Sequence, residues 1–335
     1  MENKKRILYL DIIRIIACVM VIVQHSPMPD LGTNSILLSS TSFLTYPCIG
    51  LFFMVSGSLL LPVRQSSVDF YKKRVTKIVF PTIIWMFIYL LIGFILHQFD
   101  IEFLFKRILL IPLMPVGVPV FWFIYVLIGL YLFAPIISPW LLTASKKELK
   151  FFLILWGCSL FIPIFNGYVD ITYGYYSILC YFGGYLGYFI FGYYLHHFKV
   201  KLPYVYSILL ILIPILLYTF CKHIGMKYNL HTYYYLSLFS ASMTAGWFTL
   251  LKSLFENCKI DDIFNKYIIS FSNACFGIYL VHIFVMRNIL WKIDFISSYG
   301  GFNQILTTSF LTLLFSYLLV YFLSKLPYSK FLIGY

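Results

Sequence analysis

Charge is scarce in this sequence. Only 11% of its 335 residues are Asp, Glu, Lys or Arg, against roughly 25% in a water-soluble domain. A surface that meets water on every side is thereby excluded. Paired cysteine spacing is also missing. The seven cysteines, most of them in or beside apolar runs, form neither a disulfide framework nor a zinc pattern, so they read as small core residues and no metal site is expected. No repeat period and no low-complexity tract stands out. The links between apolar runs are short, which leaves no room for an appended soluble domain, and residues 1–335 read as one domain.

What is present is apolar, at 61% of residues. About twenty apolar residues cross a bilayer as a helix, and backbone in lipid must bond to itself, which leaves helices or closed barrels. Barrel strands alternate polar and apolar positions, whereas 310–323 is apolar at odd and even positions alike. The expected fold is therefore all-α, a polytopic membrane protein with about ten transmembrane helices. The runs centre on 7–26, 43–63, 79–97, 118–139, 151–165, 173–195, 203–221, 233–251, 268–290 and 305–323. Asp11 and Arg14 interrupt the first run and no small-residue cleavage site follows, so it reads as a retained span.

The formal charge of +13 follows the membrane and not a nucleic acid. With the N-terminus inside, Arg14 lies within a span and only Lys106, Arg107, Lys222, Lys227, Arg287 and Lys292 fall outside. All the other basic residues fall on the cytoplasmic side. This asymmetry predicts an N-in, C-in topology with an even number of spans. Tyrosine and tryptophan gather at span ends, as at Trp122, Trp140 and Trp291, where interfacial belts place them.

Ionisable groups inside a span cost several kcal/mol on insertion scales, so each needs a partner or a purpose. The first span has three. At about 100° per residue Arg14 and His25 project within about 20° of each other, and Asp11 lies about 60° from Arg14. One stripe carries all three. A structural Asp11–Arg14 pair with an interfacial histidine is one reading, and a polar track through the membrane is the other. Tyr279 and His282, three apart on the ninth span, favour the track, although a hydrogen-bonding role explains His282 equally well. In the second span Ser56 and Gly57 permit close approach of a helix or a ligand. The segment DFYKKRVTKIVFP then sets Lys72, Lys73, Arg74 and Lys77 just inside the membrane. Such clusters hold topology and attract anionic lipid, or they take a phosphate-bearing substrate, for which the guanidinium of Arg74 is best suited.

Taken together, LDIIRIIACVMVIVQH, FFMVSGSLLL, KKRVTKIVFP, FWFIYVLIGLYLFAP and GIYLVH resemble the membrane acyltransferase-3 family over nearly the whole chain. Arg14 and His25 match that family's first-span signature, an arginine and a histidine with ten residues between them. Ser58 departs mildly from the pattern, where a large apolar residue is common. The resemblance implies transfer of an acyl group, usually acetyl, from cytoplasmic acyl-coenzyme A to a hydroxyl of a cell-surface or exported glycan. It also implies a multi-pass protein of the bacterial cytoplasmic (inner) membrane, in the stand-alone form related to polysaccharide O-acetyltransferases. No bound cofactor is expected, with acetyl-CoA (acyl-CoA) as donor substrate, a glycan acceptor and the lipid bilayer as partners. His25 and Arg14 are the expected catalytic residues. Arg74, Lys73, Ser56, Tyr279, His282 and Asp11 are expected to bind or line the path of the donor. The competing class is a transporter of a lipid-linked or acylated saccharide with Arg14 and His25 lining its path. No inverted repeat or matched pair of broken helices supports it.

Overall fold

A computed structural model describes residues 6–27, 36–115, 117–162, 178–223, 235–297 and 301–335. Its helices are α1 (Leu8–His25), α2 (Ile36–Thr45), α3 (Pro47–Leu60), α4 (Ser67–Arg74), α5 (Phe80–Ile95), α6 (Ile101–Leu110), α7 (Trp122–Thr143) and α8 (Lys146–Ser159). They continue as α9 (Leu186–His197), α10 (Tyr204–His223), α11 (Leu238–Phe255), α12 (Asp262–Ile283), α13 (Asp294–Ser297), α14 (Gly301–Leu323) and α15 (Lys330–Ile333). No strand occurs among the described residues, in agreement with the all-α expectation.

Seven stretches of the described residues are long and apolar enough to cross a membrane: Leu8–His25, Ser40–Leu60, Ser67–Ile95, Pro119–Thr143, Tyr204–Cys221, Asp262–Lys292 and Gly301–Leu323. The expected spans 151–165, 173–195 and 233–251 are not among them. Each of these three takes in residues outside the described set, as does the expected outward loop 166–172. The chain divides into two compact units. One comprises Met1–Gln24, Asn34–Leu61 and Pro139–Ile269, and the other His25–Thr33, Pro62–Ser138 and Ser270–Tyr335.

In the first unit the SG motif is a packing device. A Cβ on Gly57 would stand 1.8 Å from the Phe189 carbonyl oxygen, and one on Gly192 would stand 2.0 Å from that of Met54. Each glycine of the α3–α9 crossing thus makes way for the other helix's backbone, the close approach that small residues allow between membrane helices. The Ser58 hydroxyl donates to the Gly192 carbonyl at 2.9 Å, which uses the residue that departs from the family pattern to fasten the crossing. The pair α10–α11 is held by hydroxyls as well. Ser207 and Thr249 lie 2.9 Å apart, and Ser242 donates to the Leu210 carbonyl at 2.9 Å. Lys252 is buried, and its ammonium donates to the carbonyls of Leu195 and Val200 at 2.7 and 3.2 Å, closing the C-terminal end of α9. Helix α8 opens with a reciprocal cap in which the Ser145 and Glu148 side chains each accept from the other's backbone N–H. Those bonds hold the Glu148 carboxyl below the usual carboxylate range.

In the second unit α12 is the packed centre. Gly277 lets it meet Val320 of α14, and Cys275, Ile278, Leu280 and Val281 are all buried. The C-terminal segment returns to α5, where the Trp85 indole N–H donates to the Leu332 carbonyl at 2.9 Å. A π-helical turn, Val75–Val79, joins α4 to α5. Pro81 explains it, because proline donates no N–H to the Lys77 carbonyl and its ring crowds that oxygen, so the ladder widens just before it.

The α3–α9 crossing is directly testable. Gly57→Ala puts a methyl group on a carbonyl that cannot rotate away, and overpacking of this kind costs about 1–3 kcal/mol. We expect a lower melting temperature in detergent and less folded protein per cell, with Leu59→Ala, on the exposed side of α3, as the tolerated control. Equal melting temperatures for the two variants would refute the close crossing.

Candidate active site

The second unit brings two sequence-predicted histidines together. His25 ends α1 and His282 lies in the last turn of α12, with ring centroids 5.6 Å apart and ring planes tilted by 40°. His25 is half-buried and His282 is fully buried. The end of α1 is tied down by the residue that follows. Ser26 shares a 2.7 Å hydroxyl contact with Ser309, and its carbonyl accepts from the Gln304 amide at 3.1 Å. Gln304 also donates to the Thr308 hydroxyl at 2.8 Å.

His282 Nδ1 lies 2.6 Å from the Tyr279 carbonyl oxygen. A carbonyl only accepts, so Nδ1 carries the hydrogen, and Nε2 of the neutral ring is left as an acceptor. Among the described residues nothing bonds to this buried Nε2. An unmet buried polar atom costs about 1–3 kcal/mol, which marks the position as one where a bound hydroxyl or N–H would be welcome. The Tyr279 hydroxyl donates to the Val120 carbonyl. For the Tyr279 hydroxyl to donate to a bound donor instead, it must give up that bond.

Directly beyond α12 the helix opens into a second π-helical turn, Phe284–Ile289. The Tyr89 hydroxyl of α5 donates to the Leu280 carbonyl at 3.0 Å and accepts from the Phe284 N–H at 2.9 Å. Those two backbone groups would bond to each other in an unbroken α-helix. The inserted hydroxyl therefore widens the turn and satisfies both freed groups. Sequence reasoning missed Tyr89, whose hydroxyl sits within the apolar run 79–97 and looked like one more belt aromatic. It also missed the buried row Gln304, Thr308, Thr312 and Ser316, spaced by four on α14.

The first unit holds the acidic group. Asp11 is buried and receives a bidentate pair from Arg6, Nε to Oδ2 at 2.7 Å and Nη2 to Oδ1 at 3.0 Å. Arg14 lies farther from the same carboxylate, 3.7 Å from Oδ1. Asp11 is thus shared, and its close partner is Arg6, which the sequence had assigned to topology. The side chain of Arg14 is about one-quarter exposed. Ser56 is half-buried on α3.

The basic segment separates into unlike members. Lys72 and Lys73 are exposed, with Lys73 donating to the Gln65 side chain at 2.9 Å. Arg74 instead lies half-buried, its guanidinium 5.1 Å from the Phe70 ring centre and 5.5 Å from that of Tyr131. Both rings are close enough for a cation–π contact that holds the group in place, and a guanidinium is the side chain best matched to a planar anion.

These elements define a multi-pass membrane protein with ionisable side chains carried on its apolar helices. The family model described as an acyltransferase domain, that of the acyltransferase-3 family, matches residues 7–321, and the chain belongs to that family. It is a membrane acyltransferase. No curated protein and no solved structure matches the chain significantly.

The contrast within the basic segment yields a test. We expect Arg74→Ala to raise the KM for acetyl-coenzyme A about tenfold, the worth of a charge-assisted hydrogen bond, while Lys72→Ala stays within twofold. Steady-state kinetics on purified protein read both values, and equal small effects would reduce the segment to a topology anchor.

Proposed function

We propose that the protein is an integral membrane O-acyltransferase that moves an acyl group, acetyl in the first instance, from cytoplasmic acyl-coenzyme A to a hydroxyl of a cell-surface or exported glycan. The bacterial inner membrane is the proposed location. The observation that carries this reading is the histidine pair, in which the fully buried His282 presents an unmet acceptor beside His25, within a chain of the acyltransferase-3 family.

A sugar hydroxyl is a poor nucleophile at neutral pH and needs its proton removed as it attacks. His25 takes that proton. The hydroxyl oxygen forms a bond to the thioester carbonyl carbon, the carbon–sulfur bond breaks, and the thiolate of coenzyme A recovers a proton from the His25 imidazolium. His282 Nε2 accepts from a neighbouring hydroxyl of the same sugar and so orients the acceptor. Arg14 holds the polar arm of the donor or a phosphate of it, and Arg74 and Lys73 hold phosphate on the cytoplasmic side. Ser56 and Tyr279 line the donor's path, while Asp11 fixes the Arg6–Arg14 end of α1. Eleven residues of ideal helix rise about 16 Å, a length that suits an extended pantetheine arm. Transfer is direct, within one complex of donor and acceptor.

Two measurements decide it. His25→Ala is expected to keep normal membrane abundance and to lose about 10² to 10⁴ in rate, the usual worth of a general base. His282→Ala removes the ring bonded to Tyr279 and is expected to lower abundance as well as ester content. Ester on surface glycans at matched abundance, in a strain lacking the parent gene, reads both, and near-normal ester with His25→Ala removes His25 from the mechanism. The donor route requires Lys73 to be cytoplasmic. A cysteine at position 73 in a cysteine-free background is expected to resist an impermeant thiol reagent in intact cells and to react after lysis, and labelling before lysis overturns the route.

A further inference from the structure

The π-helical turn after His282 faces a cavity of about 180 Å³ whose lining includes Tyr89, Gln98, Gly117, Val120, Arg287 and Asn288. This volume is below the roughly 300–1,000 Å³ that takes a whole drug-sized ligand, so it suits one substituent of a larger molecule. Its polar lining is one-sided in charge. Arg287 is the charged residue on the wall, with its guanidinium 5.6 Å from the Trp291 ring centre. A second guanidinium comes close at Gly117, where φ is +82° and an added Cβ would stand 2.8 Å from Arg107 Nη1. Only glycine suits that spot, both for its backbone and for the space Arg107 occupies. Among the described residues, the four ion pairs involve neither Arg107 nor Arg287. In the topology read from the charge pattern these two are among the few cations on the outer side, where the positive-inside bias gives them no reason to be.

The cavity is wired to the histidines. Val120 on its wall accepts from Tyr279, the Tyr279 carbonyl holds His282, and His282 neighbours His25. Tyr89, also on the wall, is the residue whose hydroxyl opens the helix between Leu280 and Phe284. An α-helical continuation would turn each later residue by about 100° per position, whereas the widened turn alters that register and so sets which way Arg287 and Asn288 face.

We propose that this cavity binds an oxyanionic group of the acceptor, a carboxylate or a phosphate, on Arg287, and that Tyr89 positions Arg287 by holding the π-helical turn. The proposal rests on the acyl-transfer reading for calling the ligand an acceptor. It selects glycans with uronic acid or phosphodiester groups over neutral ones. Arg287 supplies the charged fork, and the side-chain amides of Asn288 and Gln98 supply neutral donors. Tyr89 touches no substrate in this scheme.

The test measures binding apart from chemistry. Full-length protein in phosphatidylcholine nanodiscs is titrated with a glucuronate-containing oligosaccharide, with its carboxyl-reduced counterpart, and with a glycerol phosphate oligomer. The wild type is expected to bind at least one acidic probe about tenfold or more tighter than the reduced one. Arg287→Gln is expected to abolish that preference, Arg287→Lys to keep part of it, and His25→Ala to keep all of it. Tyr89→Phe is expected to lose most of the preference while its affinity for the reduced probe and its KM for acetyl-coenzyme A stay within twofold, which a general loss of structure would not allow. No preference in the wild type, or a preference that survives Arg287→Gln, overturns the proposal. A preference for the phosphate probe over the carboxylate names the group and supports it. Loss of acidic-probe binding when phosphatidylglycerol is added assigns the cavity to a lipid headgroup and overturns the acceptor assignment. Acidic-probe binding with no release of coenzyme A from acetyl-coenzyme A leaves the cavity standing and removes the acyl-transfer reading instead.

Discussion

A buried helix can open its hydrogen-bond ladder only where another group takes up the bonds it releases, and at Tyr89 a single hydroxyl takes up both. Its contacts with the Leu280 carbonyl and the Phe284 N–H stand where a backbone bond would be. The preceding residues of α12 keep their α-helical register, which leaves His282 bonded to Tyr279 and adjacent to His25. The residues beyond take a different one. One side chain on α5 thus separates the part of the chain that carries the histidines from the part that carries Arg287 and Asn288. The other interruption, at Val75–Val79, has a different origin, since Pro81 withholds a donor and no inserted hydroxyl is involved.

Among its described residues the first unit packs without any such opening. Lipid offers helices no hydrophobic reason to associate, so close contact must come from van der Waals fit and hydrogen bonds. Gly57 and Gly192 supply the fit, and Ser58, Ser207, Ser242 and Thr249 supply the bonds. Lys252 illustrates how a charge is tolerated there, since its ammonium meets two carbonyls at the end of α9 and stays buried.

The helical character and the family were legible in the sequence because each rests on a local pattern: a long apolar run, a set of short motifs. Three things were not. The α3–α9 crossing pairs Gly57 with a glycine 135 positions away, and nothing near Gly57 points to Gly192. The bidentate hold of Arg6 on Asp11 was hidden because Arg6 also fits a cluster of topology charges. Tyr89 was hidden by composition, since one tyrosine among so many aromatic residues at span ends carries no sign that its hydroxyl lies in another helix's ladder. The row Gln304, Thr308, Thr312 and Ser316 was in plain view as an i, i+4 pattern and went unread because each residue alone is commonplace in a membrane helix.

The paired glycines of α3 and α9 also act as an index. A slip of one residue along either helix would set a side chain on a carbonyl oxygen now met by a bare Cα, so the two helices have one vertical setting relative to each other. Bilayers differ in thickness by several ångströms, and a spanning helix commonly answers by tilting. Any tilt of α3 would carry α9 with it as one body, without shearing the pair, and Ser56 and Ser58 would keep their heights relative to α9 as it leaned.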